Sequence, residues 1–161
     1  MATPIDIKPE SDRELVLARI IDAPREKIFR AWTDADILKQ WFVPAPWTIA
    51  KAEIDVRPGG ASLIVMKDPE GNEYPNAGVY LEIVENEKIV VTDAYTSAWQ
   101  PSEKPFFTAI ITLEDAGDGK TRYIARALHW TKEDLEAHEK MGFHEGWGQV
   151  AEQMEAVASK L

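Results

Sequence analysis

Residues 143–161 read FHEGWGQVAEQMEAVASKL, and this stretch decides the fold. Its apolar residues recur at spacings of three and four, which predicts a helix with an apolar face roughly four turns long. That face comprises Trp147, Val150, Met154, Val157 and Leu161, and Phe143 extends it backward by one turn. The stretch lacks the repeated flanking charges of a coiled coil, so the apolar face is expected to pack against the rest of the chain.

The helical region is expected to begin before this stretch. Thr131 followed by Asp134 has the spacing of an N-terminal helix cap. Gly142 and Gly146 are expected to interrupt the helix, because glycine is unfavourable in a helix interior.

Most of the remaining chain has the pattern of β-strands. Alternating apolar residues and intervening turn sequences predict seven strands, over residues 13–22, 47–56, 61–67, 73–84, 88–95, 105–114 and 120–130. Two short helices are predicted after the first strand, the second capped by Thr33 with Asp36 and ending at Gln40. Because most links between strands are short, the pairing is expected to be antiparallel. The predicted fold class is α+β, with a curved seven-stranded antiparallel sheet wrapped around the long C-terminal helix.

Composition and charge narrow the possible functions. The 161 residues suit one domain, expected over 13–161 after an N-terminal arm of residues 1–12. A net charge of −10 argues against binding to nucleic acid or to anionic membranes. The absence of cysteine excludes disulfides and thiolate chemistry. No apolar run is long enough to span a membrane and no secretory signal pattern is visible, so a cytoplasmic location is expected.

A pocket follows from the shape of the predicted fold. A straight helix laid across a curled sheet fills the middle of the hollow well and its ends poorly. The gap is expected to hold a small apolar or amphipathic molecule, without a cofactor. Trp99 is favoured as a ligand contact because it lies on a loop flanked by proline. The candidate ligand-binding residues are Trp47, Tyr80, Tyr95, Trp99, Phe107, His129, Phe143 and Trp147.

Several motifs, in their order along residues 13–161, resemble a known family. They are IDAP at 21–24, FRAWTD at 29–34, LKQWF at 38–42, DVRPGG at 55–60, GVYLEI at 78–83 and GFHEGW at 142–147. The chain is similar to the START-like helix-grip superfamily (SRPBCC), in the group related to the C-terminal domain of the heat-shock-protein-90 ATPase activator. The resemblance implies the helix-grip fold in a small stand-alone domain, and it implies no shared catalytic motif.

Two other classes of function remain open. A small cyclase- or hydrolase-like enzyme could use His129 or Tyr123 as an acid or base, since burial would shift the pKa of either group. A chaperone-associated interaction domain is the other alternative, and a sheet edge near Pro75 could support a homodimer. No metal site is predicted, because His138 and His144 do not share a helix face and no HExxH motif is present.

Overall fold

The computed structural model describes residues 2–161. These residues form four α-helices: α1 Arg25–Thr33, α2 Ala35–Leu38, α3 Lys132–Lys140 and α4 Phe143–Ala158. They also form ten β-strands: β1 Thr3–Pro4, β2 Glu14–Ile21, β3 Thr48–Ile54, β4 Ala61–Lys67, β5 Glu73–Val84, β6 Lys88–Thr92, β7 Tyr95–Ser97, β8 Gln100–Pro101, β9 Phe107–Gly117 and β10 Lys120–His129. The α+β class is confirmed, with a large antiparallel sheet and a long last helix.

The main sheet within residues 2–161 has eight strands, in the order β1-β2-β10-β9-β6-β5-β4-β3. The prediction of seven strands is therefore wrong by one. Thr3 and Pro4, which belong to the predicted N-terminal arm, pair with Ile20 and Arg19 of β2. A two-residue strand that contains proline has no alternation by which periodicity could detect it. Strands β7 and β8 form a separate hairpin.

The edge predicted near Pro75 is present locally, because residues 73–78 of β5 have a strand partner in the main sheet on one side only. Pro75 lies on β5 and pairs with Val65 of β4, inside the sheet order. On the other side of β5, strand β6 pairs with the segment from Val79 to Val84. Proline, which has no N–H to donate, is tolerated because it precedes that segment. The edges of the main sheet are β1 and β3.

Helix α4 comes closest to the sheet at β2, while Trp147 in its second turn also contacts Phe107 of β9. Its closest neighbours are β2 and α1. At Gly148 the approach is so tight that an added Cβ would lie 3.1 Å from Arg19 Nη2 and 3.8 Å from Leu17 Cδ1. The absence of a side chain at Gly148 permits this close contact.

The C-terminal helices begin as Thr131 and Gly142 indicate. Thr131 Oγ1 accepts a hydrogen bond from the Asp134 backbone N–H at 3.1 Å, which confirms the predicted cap of α3. Gly142 has a left-handed φ of 92° and separates α3 from α4, as predicted. Gly146 lies within α4 and does not interrupt it, so that part of the prediction is wrong.

The cap of α2 is one residue later than predicted. Asp34 Oδ1 accepts hydrogen bonds from the backbone N–H groups of Asp36 and Ile37. The hydroxyl of Thr33 instead donates to the carbonyl of Phe29, one turn back in α1. A side-chain bond within α1 thus removes Thr33 from the capping position, and α2 ends at Leu38 rather than Gln40.

The structure determines which face of β10 is buried. Arg126 points outward, and its Nη1 lies 3.1 Å from Glu14 Oε2 on the neighbouring strand. The inward face carries side chains that are all buried: Thr121, Tyr123, Ala125, Ala127 and His129.

Candidate functional site

Four of the eight predicted ligand-binding residues meet near the start of α4. They are Phe107, His129, Phe143 and Trp147, and two unpredicted residues, Phe106 and His138, join them. We call these six side chains the aromatic–histidine cluster. The His138 ring is central, with centroid distances of 5.1 Å to Phe106, 5.0 Å to Phe107, 5.1 Å to Phe143 and 5.8 Å to Trp147.

Strand register and helix periodicity explain how these rings come together. Phe107 of β9 and His129 of β10 are directly opposed, so their side chains leave the sheet on the same face. Phe143 and Trp147 are one turn apart on α4, and their ring centroids lie 4.4 Å apart.

His138 enters the cluster from the last turn of α3. The cap at Thr131 starts this helix directly after β10, so the chain folds back over the end of the strand. From the sequence, His138 was discounted as a metal ligand beside His144 and was not included among the candidate ligand-binding residues. The sequence does contain an indication that His138 faces inward. Leu135 and His138 are three residues apart and so lie on one helix face, and Leu135 packs against the core.

A chain of hydrogen bonds runs from the backbone into the cluster. His129 Nδ1 lies 2.9 Å from the carbonyl oxygen of Arg13. His129 Nε2 lies 2.8 Å from His138 Nδ1 in a buried contact between the two rings. The orientation of both imidazoles is therefore determined by one backbone carbonyl.

His138 is held in its neutral form. Burial, with the neighbouring His129 as the second cause, lowers the pKa of His138 to about 4. At neutral pH the ring therefore carries no charge, although its aromatic neighbours favour cations at their faces. Desolvation outweighs that attraction.

Asp93 anchors the Phe106–Phe107 pair from the end of β6. Its carboxylate accepts the Phe106 N–H at 2.9 and 3.0 Å and the Phe107 N–H at 3.2 Å. Burial raises the pKa of Asp93, and these backbone N–H groups oppose the rise. Asp93 thus fixes the backbone from which both phenyl rings enter the cluster.

The other four predicted ligand-binding residues lie apart from the cluster. Trp99 is at the tip of the β7–β8 hairpin, 66% exposed, with its ring 5.7 Å from that of Tyr95. Trp47 precedes the edge strand β3 and lies 5.4 Å from Tyr74. Tyr80 is buried on β5, where burial raises the pKa of its hydroxyl and Ser62 opposes the rise.

The two candidate acid/base residues do not share a site. Tyr123 lies on β10 opposite Leu113 and Arg19. His129 is at the end of the same strand, roughly 20 Å away by the strand rise. Burial raises the pKa of Tyr123, so the hydroxyl stays protonated. Geometry gives these two groups no common substrate position.

Two cavities lie at the surface, away from the cluster. One of about 160 Å³ is between the start of α1 and the β9–β10 turn. The other, about 400 Å³, is an open groove between the N-terminal segment and α4, lined in part by Arg19, Glu145 and Glu152. Among residues 2–161 there is no group of three or more acidic, histidine or cysteine side chains placed to hold a metal ion.

Comparison with known proteins assigns the fold to a family. Residues 22–159 match the family described as activator of Hsp90 ATPase homolog 1-like protein. The chain belongs to this family. No curated protein is significantly similar to the chain.

Solved structures agree with this assignment. A protein from Nitrosomonas europaea is 39% identical, with a TM-score of 0.90, and the match covers 94% of this chain and 97% of that one. Two more distant proteins share the fold. The one from Mycobacterium smegmatis is 24% identical with a TM-score of 0.78, and the match covers 96% of each chain. The one from Rhodobacter sphaeroides is 17% identical with a TM-score of 0.83, over 97% of this chain and 99% of that one.

The helices of the structure are limited in length or in hydropathy. In the part of the chain that the structure describes, none is both long and apolar enough to cross a bilayer.

Proposed function

We propose that this member of the family binds a small apolar or amphipathic molecule between the sheet and α4, at the aromatic–histidine cluster. The observation that carries the proposal is the incomplete burial of three rings in the cluster. Phe106, Phe107 and Trp147 remain half-buried although they pack around the buried His138. Aromatic walls with one polar group are typical of small-molecule sites.

Half-buried apolar side chains support this location. Apolar side chains of α4 and of the sheet stay half-buried against the core. They include Val91 of β6 and Val150 and Val157 of α4. A ligand that covered these side chains and the rings would remove apolar surface from water, which favours binding.

Binding at this point requires some movement of side chains. Neither surface cavity reaches the cluster. In this proposal the half-buried rings of Phe107 and Trp147 separate to admit a ligand, while the buried Phe143 and His138 form the inner wall.

The test uses the neutral fluorescent probe N-phenyl-1-naphthylamine. We expect saturable binding to the full chain, and a loss of about tenfold in affinity for Trp147→Ala because the main half-buried ring is removed. Trp99→Ala is the matched comparison, since its ring lies on the separate hairpin. Absence of saturable binding contradicts the proposal. A larger loss in Trp99→Ala contradicts the proposed location and moves the site to the hairpin.

A further inference from the structure

The hydrogen-bond chain in the cluster determines where its protons lie. The Arg13 carbonyl accepts the backbone N–H of His129 at 2.8 Å and lies 2.9 Å from Nδ1 of the same residue. A carbonyl oxygen can only accept, so His129 Nδ1 must carry a hydrogen. In the neutral ring, His129 Nε2 then carries no hydrogen, and its lone pair can accept a hydrogen bond.

The same reasoning extends to the second ring. His129 Nε2 accepts, so the atom 2.8 Å away, His138 Nδ1, must donate. His138 is neutral at pH 7 and therefore has no second hydrogen. Its remaining nitrogen, Nε2, carries no hydrogen and can only accept a hydrogen bond.

This acceptor has no partner in residues 2–161. The buried polar side-chain atoms without a partner in that range are Trp32 Nε1 and Ser102 Oγ, and both are closed off from solvent. His138 Nε2 makes no hydrogen bond there either. Unlike those two atoms, it is not fully enclosed by the protein. An acceptor without a protein partner that is surrounded by aromatic rings is a directional recognition point.

We infer that the ligand is an uncharged molecule with an aromatic or aliphatic body and one hydroxyl or N–H group that donates to His138 Nε2. The inference rests on the proposed function and adds the chemical class of the ligand. An anionic ligand is disfavoured, because its oxygens carry lone pairs and would face the lone pair of the neutral His138 ring. An ammonium group is disfavoured by the same desolvation that keeps the imidazole neutral.

The test compares three naphthalenes by isothermal titration calorimetry at pH 7: 2-naphthol, its methyl ether 2-methoxynaphthalene, and 2-naphthoate. We expect 2-naphthol to bind the full chain about tenfold more tightly than the ether, since the ether cannot donate. Naphthoate should bind more weakly than either. The variant His138→Phe should bind 2-naphthol and the ether with similar affinity.

The outcomes separate the two proposals. If no naphthalene binds, the proposed function fails. If all bind but the full chain does not prefer 2-naphthol to the ether, the inference about the donor fails while the binding site stands. The same holds if His138→Phe retains the preference.

A measurement on the unsubstituted protein avoids any dependence on the folding of a variant. Nitrogen-15 NMR of the imidazole side chains distinguishes protonated from unprotonated ring nitrogens. We expect both His129 and His138 to carry their hydrogen on Nδ1 at pH 7. A hydrogen on Nε2 of His138 overturns the inference.

Discussion

At the scale of the residue, His138 couples recognition to stability. Burial, followed by the influence of His129, lowers its pKa to about 4 in the folded protein. An unperturbed histidine titrates near 6.5. Between these values the unfolded chain binds more protons than the folded one. The contribution of this group to stability is therefore complete above about pH 6.5 and is lost as the pH falls toward 4.

The variant His138→Phe keeps an aromatic ring but cannot titrate. Between pH 7 and pH 4.5, we expect the free energy of unfolding of the unsubstituted protein to fall by about 1–3 kcal/mol more than that of the variant. Urea denaturation at both pH values measures the difference. His144→Gln is the control, because His144 is exposed and lies outside the cluster. Equal losses in the unsubstituted protein and in His138→Phe would refute the argument.

At the scale of the element, two glycines at the start of α4 have opposite backbone requirements. Gly142 has a φ of 92°, which is unfavourable for any residue with a Cβ, although the space around it is open except for Glu145 Oε2 at 3.6 Å. Gly146 lies inside the helix, and its added Cβ would meet only Pro44 Cγ at 3.9 Å, an ordinary contact.

Alanine at these two positions should therefore act in opposite directions. We expect Gly142→Ala to lower the free energy of unfolding by about 1–2 kcal/mol because of the left-handed backbone. Gly146→Ala should raise it by about 0.5–1 kcal/mol, since alanine favours a helix interior. Chemical denaturation of both variants checks this. A higher free energy of unfolding for Gly142→Ala would mean that α3 and α4 are not separated by a left-handed residue.

Sequence periodicity predicted elements well and their mutual placement less well. Trp147 to Leu161 identified α4, and alternation identified seven strands, because both patterns are local. The point at which α4 comes closest to the sheet depends on the contact of Gly148 with Leu17 and Arg19, residues far apart in the chain. The same holds for the site. Phe143 and Trp147 were found as one helix face, whereas the pairing of His129 with His138 depends on a turn geometry that periodicity does not describe.

At the scale of the whole molecule, the N-terminal segment closes one edge of the main sheet. Ala2 is buried, and Thr3 and Pro4 pair with β2. The backbone N–H of Ile5 also donates to the carbonyl of Ala18 at 3.2 Å. Without this segment the edge of β2 would present unpaired backbone groups, which promote pairing with other chains.

Removal of residues 2–7 tests this role. We expect a lower Tm and more self-association than in the full chain, because β2 becomes an uncovered edge strand. Thermal unfolding and size-exclusion chromatography with light scattering measure the two effects. A truncated chain with the Tm and oligomeric state of the full chain would show that the segment does not protect the edge.

The hydrogen-bond chain from Arg13 to His138 has one more consequence, which concerns acidic solution. If the two rings together gain one proton, His138 can hold the charge, with hydrogens on both nitrogens. If His129 holds it, its Nε2 donates instead, and neutral His138 must place its hydrogen on Nε2. Both microstates put a hydrogen on the same outer atom, His138 Nε2. One added proton thus changes His138 Nε2 from a hydrogen-bond acceptor into a donor, and no side chain has to rotate. The site then selects a ligand carbonyl where it selected a hydroxyl at neutral pH.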